Sequence, residues 1–106
     1  TLYGRGIYFS ECSSKADEYA AGNASQECVM LLCRAVLGRI LYTAEDRPDV
    51  SQLMEQCRVG SYHSVLGDRK VVRGTYREVV VYDSHQVYPE FLVVYERKFQ
   101  ERRSSR

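Results

Sequence analysis

Four residues have the types and spacing to hold and break a charged substrate: Tyr8, Lys15, Tyr19 and Glu78. Tyr8 lies in Tyr3-Gly4-Arg5-Gly6-Ile7-Tyr8-Phe9-Ser10, where two glycines flank one residue. The backbone there can turn sharply or approach a ligand with no side chain between. Ile7-Tyr8-Phe9 reads as a short strand. Ser13 and Ser14 are N-cap candidates for a brief helix that carries Lys15 and Tyr19 and stops at Gly22. A flat ring would fit between the two phenol faces, since offset stacking contributes roughly 0.5–1.5 kcal/mol per pair beyond burial. The same spacing suits two core tyrosines, and spacing alone favours that packing role.

Glu78 opens the most apolar strand of the chain, Arg77-Glu78-Val79-Val80-Val81-Tyr82-Asp83, and shares a face with Val80 and Tyr82. A carboxylate at a strand end can accept hydrogen bonds from a sugar hydroxyl, and its charge stabilises a cationic, oxocarbenium-like transition state. The simpler account is a strand-end side chain in water, paired with Arg77 or Arg73. His63 as a general base lacks an adjacent nucleophile or orienting acid, so it reads as a loop or core histidine.

The elements that must position these groups follow from pattern. Cys28 to Leu37 is apolar on both alternating faces, which predicts a central strand covered on both sides, bending at Gly38 into Arg39-Ile40-Leu41-Tyr42. Asp49 caps a helix through Cys57 that lines up Val50, Leu53, Met54 and Cys57 on one face, with Gly60 ending it. Gly67 and Gly74 bracket a charged, irregular connection through Asp68-Arg69-Lys70. Ser84-His85 is a turn, and Glu90 to Tyr95 is the last strand, with Pro89 at its edge. No internal repeat or low-complexity stretch is visible. The class is α+β, mainly antiparallel β-sheet with short helices.

At 106 residues with 44% apolar content and no Trp, the chain is at most one small domain. A net charge of +1 gives no electrostatic case for nucleic-acid or membrane binding. The basic run at Arg97-Lys98, Arg102-Arg103 and Arg106 has the composition of a solvated tail. No apolar stretch approaches the length of a membrane span, and no signal peptide is visible. Cys12, Cys28, Cys33 and Cys57 have no CxxC spacing. The last three sit in apolar or helical patterns and read as reduced thiols of an intracellular protein, in nucleus or cytoplasm. His63 and His85 lie far from them in sequence, so no metal is expected. Thr1 starts the chain two residues before its first motif, which reads as a piece of a longer polypeptide.

Beyond this, Gly4-Arg5-Gly6-Ile7-Tyr8-Phe9-Ser10, Ser13-Ser14-Lys15-Ala16-Asp17-Glu18-Tyr19, His63-Ser64-Val65-Leu66-Gly67 and the ending Arg77 to Asp83 with Gln86 to Tyr95 together resemble the poly(ADP-ribose) polymerase catalytic domain. The blocks occur in that family's order across nearly the whole chain. The opening and closing blocks are most similar to tankyrases, although the tankyrase zinc cluster has no counterpart.

The resemblance implies an ADP-ribosyltransferase-like fold, incomplete here, with residues 1–99 as the C-terminal portion of the domain and 100–106 as a disordered basic tail. It implies transfer of ADP-ribose from NAD, as substrate, to protein acceptors with release of nicotinamide. Poly- or oligo-transfer is allowed by the retained glutamate. No nucleic acid, membrane or metal partner is implied, and the oligomeric state is left open. Tyr8 and Glu78 fall on the tyrosine and glutamate of the family's histidine-tyrosine-glutamate trio. Tyr19 falls on the second aromatic that stacks on nicotinamide, and Lys15, Gly6, Phe9 and Ala16 line the same pocket.

Two departures stand out. Ala16 replaces a serine whose hydroxyl bonds the nicotinamide amide, a loss of about 0.5–1.5 kcal/mol. The trio's histidine belongs to a strand before Thr1, so these residues by themselves are expected to hold half an NAD site and to show no transfer. The alternative is a catalytically inactive binding or interaction module of the same fold.

Overall fold

The computed structural model describes residues 2–22 and 26–98. Its strands are β1 (Ile7–Phe9), β2 (Glu27–Ala35), β3 (Ile40–Thr43), β4 (Ser64–Asp68), β5 (Arg77–Val81) and β6 (Val87–Glu96). Its helices are α1 (Ser13–Asp17), α2 (Val50–Arg58) and α3 (Arg69–Arg73), with a single 3-10 turn at Ser84–Gln86. The fold is α+β, with a four-stranded sheet in the order β1-β5-β4-β3 and a separate ribbon of β2 and β6. β1–β5, β5–β4 and β2–β6 are antiparallel, whereas β3 and β4 run parallel. Parallel neighbours need a crossover, and α2 supplies it between β3 and β4.

The α2 helix forms where the sequence places it. The Asp49 carboxylate accepts the Gln52 amide at 3.1 Å, satisfying one of the free first-turn donors. Gly60 follows its end with a φ of +90°, a conformation that glycine adopts at low cost. Its inward face carries Leu53 into a core of Tyr3, Val65 and Val80, flanked by Leu2, Tyr8, Leu41, Cys57 and Tyr82.

Tyr3 is the organising member of that core, fully buried although it precedes the first strand. Its ring lies on Gly67 so closely that a Cβ there would stand 2.0 Å from the Tyr3 Cζ. Its peptide is held by two phenols. The Tyr3 N–H donates to the Tyr8 hydroxyl at 2.9 Å, and the Tyr82 hydroxyl donates to the Tyr3 carbonyl at 2.6 Å. Tyr8 completes the loop by donating to the Gly4 carbonyl at 2.7 Å. Gly4 itself has φ +94°, and a Cβ there would meet Val50 and Met54 of α2 at 2.8 Å.

Three expectations change. The stretch from Cys28 to Leu37 is not a central strand: among the described residues β2 pairs with β6 alone, and Val29, Leu31 and Leu32 are each half or more exposed. An apolar pattern on both faces records what a strand can bury, not what the described residues supply to cover it. The central, buried strand is instead β4, which the sequence pattern did not assign and whose last two residues it put in the connection from Gly67 to Gly74; Ser64, Val65, Gly67 and Asp68 are all buried. After it, Asp68 caps α3 by accepting the Val71 amide, and Gly74 ends that helix at φ +69°. Third, Pro89 lies inside β6 rather than at its edge. It faces Cys33 at a bulge after Leu32, where the ladder asks no N–H of it. The proposed tail, residues 100–106, lies outside the described residues.

Gly67→Ala is expected to destabilise the fold by about 2–3 kcal/mol, because the methyl group must displace a buried ring. Urea unfolding measures this, and a midpoint equal to that of the natural protein would show that Tyr3 does not rest on Gly67.

Candidate functional site

Residues opposite one another in a sheet share a face, and alternate residues along a strand return to it. Tyr8 pairs with Val80, and Val80 pairs across β5–β4 with Val65. Glu78, two residues along β5, pairs with Gly67. Tyr8 and Glu78 therefore lie on one face, and the Tyr3 ring covers Gly67 beside them. Tyr8 and Tyr3 stand 6.4 Å apart between ring centroids, tilted by 36°.

Burial raises the pKa of both phenols, and the Glu78 charge pushes each further the same way, so the carboxylate lies within electrostatic reach of both rings. Among the described residues the Glu78 carboxylate makes no ion pair and no hydrogen bond. Its expected partners are engaged elsewhere. Arg77 grips Glu11 with two bonds of 2.6 and 2.9 Å, and Arg73 grips Asp46 at 2.7 and 2.8 Å. The solvated strand-end pairing is therefore not what the structure holds.

Lys15, Ala16 and Tyr19 come from α1 and the turn after it. The helix is shorter than predicted and is N-capped at Cys12 rather than at Ser13 or Ser14. Tyr19 falls just beyond it. There the backbone tightens, with the Glu18, Tyr19 and Ala20 amides each bonding the carbonyl three residues back. The Lys15 ammonium lies 5.4 Å from the Tyr19 ring centroid and 3.2 Å from the Glu18 carboxylate. The Glu18 hydrogen bond raises the Lys15 pKa, with smaller contributions from Tyr19 and Glu78, which link this turn to the sheet face. Tyr19 is 77% exposed, so its ring is open to an incoming planar group.

Gly6 is a glycine for packing, since a Cβ would stand 2.7 Å from Val80 Cγ1 and 2.9 Å from the Val81 carbonyl oxygen. Phe9 pairs with Val79 and so lies on the sheet face opposite Tyr8 and Glu78. Thus the structure brings Tyr8 and Glu78 onto one face and Lys15 within the field of Glu78, leaves Tyr19 exposed beside Lys15, and turns Phe9 away.

His63 is structural. Its Nδ1 accepts the Arg39 amide at 2.8 Å while its own amide bonds the Arg39 carbonyl, and its ring fills the space that a Cβ on Gly38 would need. A hollow of about 840 Å³ lies nearby, lined by Met54, Cys57, His63, Tyr82 and Gln86. Two of its polar groups are committed to the fold: the Gln86 amide donates to the Val36 and His63 carbonyls, and Tyr82 to the Tyr3 carbonyl. No described group of three or more His, Cys, Asp or Glu could hold a metal ion, and no described helix is long and apolar enough to cross a membrane.

Sequence reasoning missed Arg97, assigned to a solvated tail. Its guanidinium bonds the Asp17 carboxylate at 2.9 and 3.0 Å, the Asp17 carbonyl at 2.8 Å and the Ala20 carbonyl at 2.6 Å. The Tyr95 hydroxyl also donates to Asp17. The only signal in sequence was an arginine directly after a strand, too common to read.

The family described as "Poly(ADP-ribose) polymerase catalytic domain" matches residues 1–73, more than half of the chain. That span holds Tyr8, Lys15, Ala16 and Tyr19 and ends short of Glu78. Poly [ADP-ribose] polymerase 1 of Caenorhabditis elegans is 29% identical over 108 residues, which take in 87% of this chain and 11% of that protein. The chain thus spans about a ninth of the length of this curated relative.

The Asp17–Tyr95 bond has a pH signature. Asp17 is held below the usual carboxylate range by Tyr95 and then Arg97, so its contribution is full above pH ~4 and lost as pH falls through its lowered value. Tyr95, pushed up to about 12 by the Asp17 bond, contributes fully below its ordinary value and loses that contribution as pH rises towards 12. The phenolate absorbance difference between the natural protein and Tyr95→Phe is expected to titrate near pH 12. A midpoint near 10 would show that the bond is not formed.

Proposed function

The chain belongs to the poly(ADP-ribose) polymerase catalytic-domain family, and from that premise we propose that in the intact protein it serves ADP-ribosyl transfer from NAD to protein acceptors, with no transfer by these residues alone. The nicotinamide ring lies between Tyr8 and Tyr19, and Glu78 faces the attached ribose. Breaking the glycosidic C–N bond returns its electron pair to the pyridinium, which leaves as neutral nicotinamide. Positive charge then builds on the ribose, where a fixed carboxylate is worth more than in water because it needs no reorganisation. The acceptor attacks that carbon. Holding the ring in place lowers the barrier by orientation as well as charge.

The observation that carries this reading is Glu78: a carboxylate on the Tyr8 face, in the field of Lys15, with no described partner while both neighbouring arginines are engaged elsewhere. An uncommitted acid in such a place is suited to a substrate cation. Phe9, on the opposite face, takes no part through its side chain. The finer placement near tankyrases rests on the opening and closing blocks. The allowance for poly- or oligo-transfer rests on Glu78, and the nuclear or cytoplasmic setting on the cysteine pattern.

A second reading, a binding module without turnover, is favoured by Ala16, which has no hydroxyl to offer the nicotinamide amide. Labelled NAD separates the two in the intact protein. On the catalytic reading the natural protein incorporates label and Glu78→Gln lowers incorporation by roughly 100-fold or more, the scale of losing one charge-stabilising group. Equal labelling by the variant would remove Glu78 from the mechanism. Saturable NAD binding with no incorporation would establish the binding module.

A further inference from the structure

Arg97 does more than pin one carboxylate. Its four bonds go to Asp17, the last residue of α1, and to Ala20, so they bracket Tyr19. The acceptors include two backbone carbonyls at the end of the turn: that of Asp17, which also takes the Ala20 amide, and that of Ala20, which lies past the last residue of α1. A planar guanidinium suits this because its donors point in a fixed fork, and side chain and backbone are held at once. Tyr95 on β6 adds a third direction of restraint through the same Asp17 carboxylate. The Tyr19 turn is therefore fastened to the end of β6, nearly eighty residues later in the chain.

Tyr19 itself contributes little to holding this turn. Its ring is largely exposed, and its one described ring contact is with Lys15. Without an external fastening, a five-residue helix and three tight turn bonds form a marginal unit. Both Arg97 and Tyr95 also lie beyond the span matched by the family, so no feature of that match accounts for them.

We propose that Arg97 is a positioning residue for Tyr19, fastening the turn at residues 17–20 to β6 so that the ring is fixed before a nicotinamide arrives. What Tyr19 does rests on the ADP-ribosyltransferase reading above, whereas how it is held does not. A fixed ring spares the substrate the entropy of ordering it, so the effect falls on binding rather than on the chemical step.

The test uses the intact protein, with Arg97→Ala, Tyr19→Ala and the double variant. Hydrogen exchange at the Glu18, Tyr19 and Ala20 amides is expected to quicken about tenfold or more in Arg97→Ala, while the β4 and β5 amides keep their protection. With NAD as substrate, KM is expected to rise roughly tenfold and kcat to change less than about twofold. In the Tyr19→Ala background, adding Arg97→Ala is expected to change KM less than about twofold, because a residue acting through another has nothing left to act on.

Unchanged exchange at residues 18–20 would overturn the fastening, and so would additive KM effects in the double variant. If the alanine variant loses protection throughout the sheet, Arg97→Lys takes its place, keeping the charge without the fork; natural exchange and KM in that variant would overturn the proposal. If the natural protein transfers no ADP-ribose, the functional reading fails, and the exchange measurement still decides whether Arg97 holds the turn.

Discussion

The opening loop depends on one buried peptide group. The Tyr3 N–H and C=O are each taken by a phenol, Tyr8 from five residues ahead and Tyr82 from the far end of the chain. Removing either hydroxyl would leave a buried backbone group unsatisfied, at about 1–3 kcal/mol. Burial pushes the Tyr82 phenol up to about 12, as expected for a hydroxyl kept neutral to donate. With Tyr3 fixed, its ring seats on Gly67 and α2 closes over Gly4. β1 is thereby delivered against β5, and Tyr8 and Glu78 take their shared face from that pairing.

Charge is distributed around that frame in a consistent way. Glu11, Asp17, Asp46 and Glu55 each hold an arginine, and Asp68 accepts from Tyr42. Those pairs are exposed or half-exposed, so each contributes little to stability, but together they engage Arg58, Arg73, Arg77 and Arg97. Glu78 is left with a field and no described partner. Its environment contains two raised phenols and the Lys15 ammonium, groups that respond to its charge without neutralising it.

What could be read from sequence follows the range of the interaction. β1, α2 and β5 were legible because a strand's β-branched run and a helix's cap and apolar stripe are local patterns. β4 was not, because Ser64-Val65-Leu66-Gly67-Asp68 is short and its Gly67 and Asp68 read as the start of a connection until Tyr3 is placed on Gly67. Arg97 was illegible for the same reason, its partners lying in a turn nearly eighty residues earlier. β2 misled in the other direction: its pattern is that of a covered strand, yet among the described residues only β6 pairs with it. For the site, spacing could nominate Tyr8, Lys15, Tyr19 and Glu78, but only sheet register could divide them by face. That register sets Phe9 apart from the residue beside it.

Register is also where fold and chemistry become the same constraint. Tyr8 and Glu78 lie seventy residues apart in sequence and reach one face only because Tyr8 stands opposite Val80. A slip of one residue between β1 and β5 would invert every side chain of one strand relative to the other, putting the phenol and the carboxylate on opposite faces. Local propensity does not prevent such a slip, since Val79, Val80 and Val81 are interchangeable as strand formers. Gly6 prevents it, packing where Val80 and the Val81 carbonyl leave no room for a side chain, and so do the Tyr3 bonds that set where β1 begins. The glycines that first suggested a ligand's approach thus serve the chemistry indirectly, by fixing which face of β5 the tyrosine meets.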